Sequence, residues 1–350
     1  MEFLIEIGTF LAQAIILVAA ILLVVAGVAA ISQRRRAAGH EGQIEIRQTN
    51  EKYRAFQDAV RESLETPEAT KQRLKTEKKA AKAEAKEAKK QAASQETPEK
   101  SRLFILRFEG DIQASATDSL REEISAVLPI AGAEDEILVC LESPGGLVHS
   151  YGLAASQLQR IADAGIPLTI AVDKVAASGG YMMACVADRI LAAPFAVIGS
   201  IGVLAQLPNF HKLLKKNDID FELLTAGKYK RTLTMFGENT EEGRRKFLED
   251  LEDTFALFKE FIQERRPSVP IDDVATGEIW YGKRALDKKL IDDIMTSDAY
   301  IQSKIESCDI VEVRFVPRKS WQEKIGMSVE GIMERLGLRL FQRASERHIF

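Results

Sequence analysis

"TIAVDKVAASGGYMMACVAD", residues 169–188, decides the fold. It opens as an apolar strand, breaks at Ser178-Gly179-Gly180, and continues in small and apolar residues that suit a helix starting at Gly179 or Gly180. A serine on a strand-to-helix corner points its hydroxyl away from the sheet. The N–H groups that follow it then face any anion formed there. Ser and Gly also build ordinary turns, so this stretch by itself admits a cap as readily as a nucleophile.

A second stretch upstream has the same grammar. In "LESPGGLVHSYGLAA", residues 141–155, a strand ends at Ser143-Pro144, and two glycines allow close backbone approach or positive φ before a helix. Such a turn suits a substrate backbone or an oxyanion donor, and also a plain β-turn. Around these two corners, "RLFILRFEG" (102–110), "EILVCLES" (136–143) and "PLTIAVD" (167–173) read as strands, with amphipathic stretches at 118–128 and 152–164 between them. That alternation predicts an α/β fold with a mainly parallel sheet. "DFELLTA" (220–226) is a further strand candidate. The stretch from Thr240 to Arg266 is an amphipathic helix, with Phe247, Leu251, Phe255, Phe258 and Ile262 at helical spacing. "IVEVRFVP" closes the globular part.

The ends differ in composition. Ile7 to Ile31 carries no charge, long enough to cross a bilayer as a helix, which needs about 20 apolar residues. Glu2 and Glu6 precede it, and Arg34 to Arg36 follow, the reverse of a cleaved signal peptide. Residues 1–36 therefore read as an uncleaved single-pass anchor with a basic flank. Residues 37–101 are rich in Lys, Glu, Ala and Gln, lack an apolar face, and read as a charged helical or disordered tether. Residues 102–317 form the folded domain. Residues 318–350 repeat apolar and Arg positions at helical spacing and read as an amphipathic tail that docks on the domain or meets the membrane surface.

Several classes are disfavoured. A net charge of -4 gives no sign of a nucleic-acid partner. Cys140, Cys185 and Cys308 are odd in number and far apart, with no metal-binding spacing, and read as inert buried thiols. No metal and no cofactor is expected.

A serine nucleophile needs a base. Of four histidines, His40 and His348 lie near the ends, and only His149 and His211 are placed to approach. The other source is "TAGKYKRTLTMFGENT", residues 225–240, with Lys228 and Lys230. Lysine is a base only when neutral, and bringing an ammonium from ~10.4 to ~7.5 takes roughly 4 kcal/mol of destabilisation, which burial supplies.

The motifs "SPGG" (143–146), "ASGGYMMACVAD" (177–188), "IGSIGV" (198–203), "GKYKR" (227–231) and "GEIWYGKRALDKKLID" (277–292) together resemble the signal peptide peptidase A family of serine peptidases. The resemblance covers about Arg102 to Val316. It implies a Clp-protease/crotonase-like fold and a Ser–Lys dyad, with Ser178 as nucleophile and Lys230 as general base and then general acid. Gly179 N–H and a glycine of the SPGG turn, Gly146, would form the oxyanion hole. It also implies a peptide or protein substrate, such as signal-peptide remnants, and a homo-oligomer in which the dyad is open to completion across subunits. Bacterial inner membrane is the implied location. The basic flank favours a cytoplasmic domain by the positive-inside rule, and the resemblance favours a periplasmic one. Two other readings stand beside it: a crotonase-like acyl-CoA enzyme, disfavoured because no acid sits beside the Gly-Gly turn, and a non-catalytic membrane scaffold of the same fold.

Overall fold

A computed structural model describes residues 42–66, 68–73, 75–76, 78–79 and 100–317. The proposed anchor at 7–31 and the tail at 318–350 lie outside the described residues. Among the described residues no helix is long and apolar enough to cross a membrane. The described residues divide into two units, 46–314 and the ends 42–45 with 315–317. In the second, Gly42 sits so close to the Phe315 ring that a Cβ would clash with it.

The elements run β1 (Gly42–Gln48), α1 (Thr49–Leu64), β2 (Arg102–Glu109), α2 (Thr117–Val127), β3 (Glu136–Glu142), α3 (Val148–Asp163), β4 (Leu168–Val172), β5 (Val175–Ala177) and α4 (Gly179–Ala184). There follow β6 (Arg189–Ala192), β7 (Val197–Gly199), α5 (His211–Lys216), α6 (Glu241–Arg265), α7 (Ile271–Val274), β8 (Ile279–Tyr281), α8 (Gly282–Asp287), β9 (Asp293–Ile294), α9 (Ser297–Lys304) and β10 (Asp309–Pro317).

Six strands pair in parallel in the order β10-β2-β3-β4-β6-β9. Strand β4 is buried along its whole length, as a central parallel strand covered on both faces must be. This confirms the mainly parallel α/β architecture. A small second sheet, β5-β7-β8, begins where β3 stops, through a parallel bridge between Ser143 and Ala176. The chain does not pass from β4 straight into the Ser178 corner. It leaves the large sheet at Val172 and enters the corner through β5 in the small one.

Two departures have clear causes. Residues 220–226, expected as a strand, are exposed and irregular, because no neighbouring strand pairs with them. Phe221 packs its ring on Phe236 instead, with centroids 5.8 Å apart. The charged segment after residue 41, in turn, is not wholly a tether. Its Asn50 side chain donates to Ile305 O (2.9 Å) and Cys308 O (3.0 Å) and accepts from Ile310 N–H (2.7 Å). Tyr53, one turn on, packs on the cluster of Leu103, Ile105, Leu138 and Tyr300 beneath α9. Two anchoring residues suffice to dock a helix whose average composition is that of a solvated one.

The far end of α6 is fixed by charge. Arg266 makes a two-pronged ion pair with Asp292, at 2.8 and 2.7 Å, and Asp292 also accepts Ile190 N–H at 2.7 Å. Burial works to raise the Asp292 carboxyl, but the Arg266 and Ile190 hydrogen bonds outweigh it and hold it below the ordinary value. All three cysteines are free, and only Cys185 is fully buried. Cys140 and Cys308 are half-buried, which corrects the expectation for those two.

Asn50→Ala removes the partner of three part-buried backbone groups at once and is expected to lower stability by about 2–4 kcal/mol, less than three fully buried groups at roughly 1–3 kcal/mol each, because water reaches part-buried groups. Denaturant titration of the full chain measures it, and a change under about 0.5 kcal/mol would show that water replaces the side chain without loss.

Candidate active site

Ser178 sits between β5 and α4 with φ 52° and ψ −118°, a left-handed conformation that L-residues seldom adopt. The strain is held by neighbours. Ser178 N–H donates to Gly199 O (2.8 Å), Ala177 N–H to Ser143 O (3.0 Å), and Met182 N–H to Ser178 O (3.0 Å). Oγ has no hydrogen-bond partner among the described residues, and the residue is half-buried. The hydroxyl stands at the carboxyl ends of the parallel strands, where open α/β sheets bind ligands.

The SPGG turn lies against this corner. A Cβ on Gly145, whose φ is +89°, would come within 2.7 Å of Ala177 O and 2.8 Å of both Gly179 N and Ser178 Cβ. A Cβ on Gly179 would strike the Tyr151 ring, and one on Gly180 would lie 2.5 Å from Ser143 O. The small residues around Ser178 are therefore dictated by packing: backbone meets backbone or ring here with no room for a methyl group.

Accounting for N–H groups isolates the free donors. Ser143 N–H goes to Val175 O, Pro144 has none, Gly145 N–H goes to Ser143 Oγ (3.1 Å), and Leu147 N–H goes to Ile112 O. Gly146 N–H is left without a partner among the described residues. Gly179 and Gly180 N–H, in the first turn of α4, are likewise unpaired. Gly146 itself is exposed, while Gly145 is buried.

One residue that the sequence reading did not single out is central. Tyr151, in the first turn of α3, is fully buried. Its hydroxyl donates to Asp111 O at 2.7 Å and lies 2.5 Å from Ser143 Oγ. Burial pushes its phenol above the ordinary value, against the pull of the Ser143 hydrogen bond, so it keeps its proton. An aromatic after a Gly-Gly turn reads as generic core, and spacing gave no other sign.

Lys230 stands in the irregular stretch between α5 and α6. It is exposed, its backbone N–H closes a turn onto Gly227 O (3.2 Å), and it makes no hydrogen bond to Ser178. Its neighbours are fixed to α6. Lys228 pairs with Glu242 at 2.8 Å, and Lys228 and Lys246 both lie over the Tyr229 ring. From Leu204 to Arg231 every residue is exposed except His211 and Leu214, which are half-buried. His149 is exposed at the start of α3, and His211 lies in the short α5; neither hydrogen-bonds Ser178. A single chain thus brings the serine and the unpaired donors together, and no Lys or His among the described residues hydrogen-bonds Ser178. No group of His, Cys, Asp and Glu among the described residues could hold a metal ion.

The sequence matches "Peptidase family S49 N-terminal" over residues 2–158 and "Peptidase family S49" over residues 160–310. A "Probable protease SohB" of Haemophilus influenzae is 50% identical over 326 residues, covering 92% of each chain. A "Probable protease SohB" of Buchnera aphidicola subsp. Acyrthosiphon pisum is 56% identical over 242 residues, covering 69% of this chain and 72% of that one. Among solved structures, a "membrane-bound stomatin-specific protease" with a substrate peptide aligns at a TM-score of 0.41 and 14% identity, covering 66% of this chain and 98% of that one. The half-identity sustained over nine-tenths of a probable protease, together with the two adjoining matches, sets aside the acyl-CoA and scaffold readings: the chain belongs to peptidase family S49 and is a serine peptidase.

Proposed function

We propose that this peptidase is a membrane-anchored endopeptidase that hydrolyses peptide bonds by a Ser178–Lys230 dyad. The observation that carries the reading is the strained Ser178 corner, with unpaired N–H groups of Gly179 and Gly146 on the two backbones that meet there. Ser178 Oγ attacks the scissile carbonyl and Lys230, as the free amine, takes its proton. The carbonyl oxygen becomes an oxyanion between Gly179 N–H and Gly146 N–H. Collapse expels the amine of the downstream peptide, which receives the proton from Lys230. Water then attacks the acyl-serine, giving its proton to the same lysine, and Ser178 leaves as the hydroxyl.

The base comes from a second copy. A lysine acts as base only when neutral, which burial favours, and an exposed segment carrying Leu204, Phe221, Leu224 and Phe236 suits burial against another chain. Such packing would bring the lysine to Ser178 and strip its water together. The uncharged stretch 7–31 supports a single-pass anchor in a bacterial inner membrane, so peptides left in or near the bilayer, signal-peptide remnants among them, are fitting substrates. Reporter fusions after Gln91 decide the side of the domain.

Ser178→Ala removes one hydroxyl and should lower turnover at least ~10³-fold while the fold survives. Lys230→Arg keeps the charge but holds its proton, so it should be as inactive as Lys230→Ala, down about 10²–10⁴-fold, with Lys228→Ala far milder. Mixing the Ser178→Ala and Lys230→Ala proteins should restore part of the activity. No recovery after co-folding would place both groups in one chain. Wild-type turnover by Ser178→Ala would end the serine mechanism.

Gly179→Ala places a methyl group in the Tyr151 ring and should cost about 1–3 kcal/mol of stability from overpacking. Its turnover per folded molecule should fall as well, because the donor N–H moves with the backbone. A stable, fully active Gly179→Ala protein would show that the corner has slack.

A further inference from the structure

The buried hydroxyl pair of Tyr151 and Ser143 lies outside the dyad and is not needed for the chemical steps above, yet it touches both sides of the oxyanion site. Its hydrogen bonds have only one consistent direction. Asp111 O is a carbonyl and can only accept, so the single Tyr151 proton goes there (2.7 Å). Tyr151 Oη must then accept from Ser143 Oγ–H (2.5 Å), and Ser143 Oγ in turn accepts Gly145 N–H (3.1 Å). The chain runs Gly145 N–H to Ser143 to Tyr151 to the Asp111 carbonyl, with every proton assigned. Tyr151 is fully exposed to none of the solvent, at 0%, and Ser143 likewise at 0%.

The same two residues set the backbone on the other side. The Tyr151 ring occupies the space where a Gly179 Cβ would be, and Ser143 O lies 2.5 Å from where a Gly180 Cβ would be. The room for the hydroxyl pair is itself made by a third glycine: a Cβ on Gly110 would lie 2.5 Å from Ser143 Oγ and strike Tyr151 Oη. Taking up the Gly145 N–H also matters chemically. It leaves Gly146 N–H as the one unpaired donor of the SPGG turn among the described residues.

We infer that Tyr151 and Ser143 are a positioning pair: their directed hydrogen bonds hold the SPGG turn, and their bulk holds the start of α4, so that Gly146 N–H and Gly179 N–H stay at the spacing an oxyanion requires. The inference rests on the proposed serine mechanism and its two donors. It assigns the pair no contact with substrate. A displacement of the donors by a fraction of an ångström weakens the tetrahedral state far more than the bound peptide, since the two donors are aimed at the developing charge.

The test uses the full chain, a quenched-fluorescence peptide that the wild-type protein cleaves, and a fluorophosphonate to count reactive Ser178. Tyr151→Phe keeps the ring against Gly179 and deletes only the hydroxyl. Per titrated site, kcat should fall by about tenfold or more with KM within about twofold, because a donor misplaced in the transition state costs rate, not peptide binding. Ser143→Ala should show the same split, and the double variant should lose little more than the worse single one, since both act through one chain of hydrogen bonds. Tyr300→Phe removes a hydroxyl donated to Glu136 at the other face of the sheet (2.5 Å) and controls for lost stability alone; it should melt earlier and keep kcat. If Tyr151→Phe fails to fold, Ser143→Ala decides by the same split. A wild-type kcat per titrated site in either folded variant, or losses that simply multiply in the double one, would overturn the pair's role while leaving the serine mechanism in place. Absence of Ser178 labelling in the wild-type protein would overturn both.

Discussion

The site depends on one steric constraint: at the Ser178 corner, two backbones meet with no side chain between them. Ser178 is forced to φ 52°, and the turn against it holds Gly145 at φ +89°. For glycine that φ is free of strain, but for Ser178 it costs of order 1–3 kcal/mol and persists only where the surroundings over-determine it. Here they do. The small sheet fixes β5 through β7, the bridge from Ser143 to Ala176 fixes it to β3, and Ser178 N–H is taken by Gly199 O. The SPGG turn and the serine corner, about thirty residues apart in sequence, become neighbours because the end of β3 pairs with β5 through the Ser143–Ala176 bridge, with Ser143 N–H on Val175 O and Ala177 N–H on Ser143 O.

Much of this was legible in the sequence because glycines and apolar runs report backbone geometry directly. The alternation of strands and helices from 102 to 188 gave the parallel sheet, and Ser178-Gly179-Gly180 gave the strand-to-helix corner. The helix from 241 to 265 followed from its Phe and Leu spacing and a Thr240 cap, whose hydroxyl does accept Gly243 N–H. Gly146 as the free donor could not be read from "SPGG" itself. Which of two adjacent glycines has a spare N–H depends on Ser143 Oγ, which takes up Gly145 N–H only because its own proton goes to Tyr151.

What stayed hidden shares a physical cause: it rests on single residues whose partners are remote in sequence. Tyr151 reads as one more core aromatic until its hydroxyl is seen between Ser143 and Asp111. Asn50 sits in a segment whose charge predicts solvation, and its three partners lie more than 250 residues away. The strand expected at 220–226 fails for the converse reason. Alternating Phe221 and Leu223 satisfy a local pattern, but a strand is stable only when another strand or a core accepts it, and none is offered.

The two halves of the proposed dyad therefore belong to parts of the chain with opposite physics. The serine half is half-buried, strained and fixed from several directions. The lysine half rides on an exposed segment from 204 to 231, held to α6 by the Lys228–Glu242 pair and by cations over Tyr229. Exposed ion pairs are screened by water and contribute little, and side chains on such a segment are ordered only weakly by their own chain. On the proposed mechanism, the unpaired N–H groups of Gly146 and Gly179 are set before substrate arrives, whereas a lysine that must lose its water to act as base waits for a surface to bury it. On the proposed reading, peptide hydrolysis is then conditional on assembly: an isolated chain presents a prepared serine without a competent base, and the association that covers Leu224 and Phe236 is the event that supplies one.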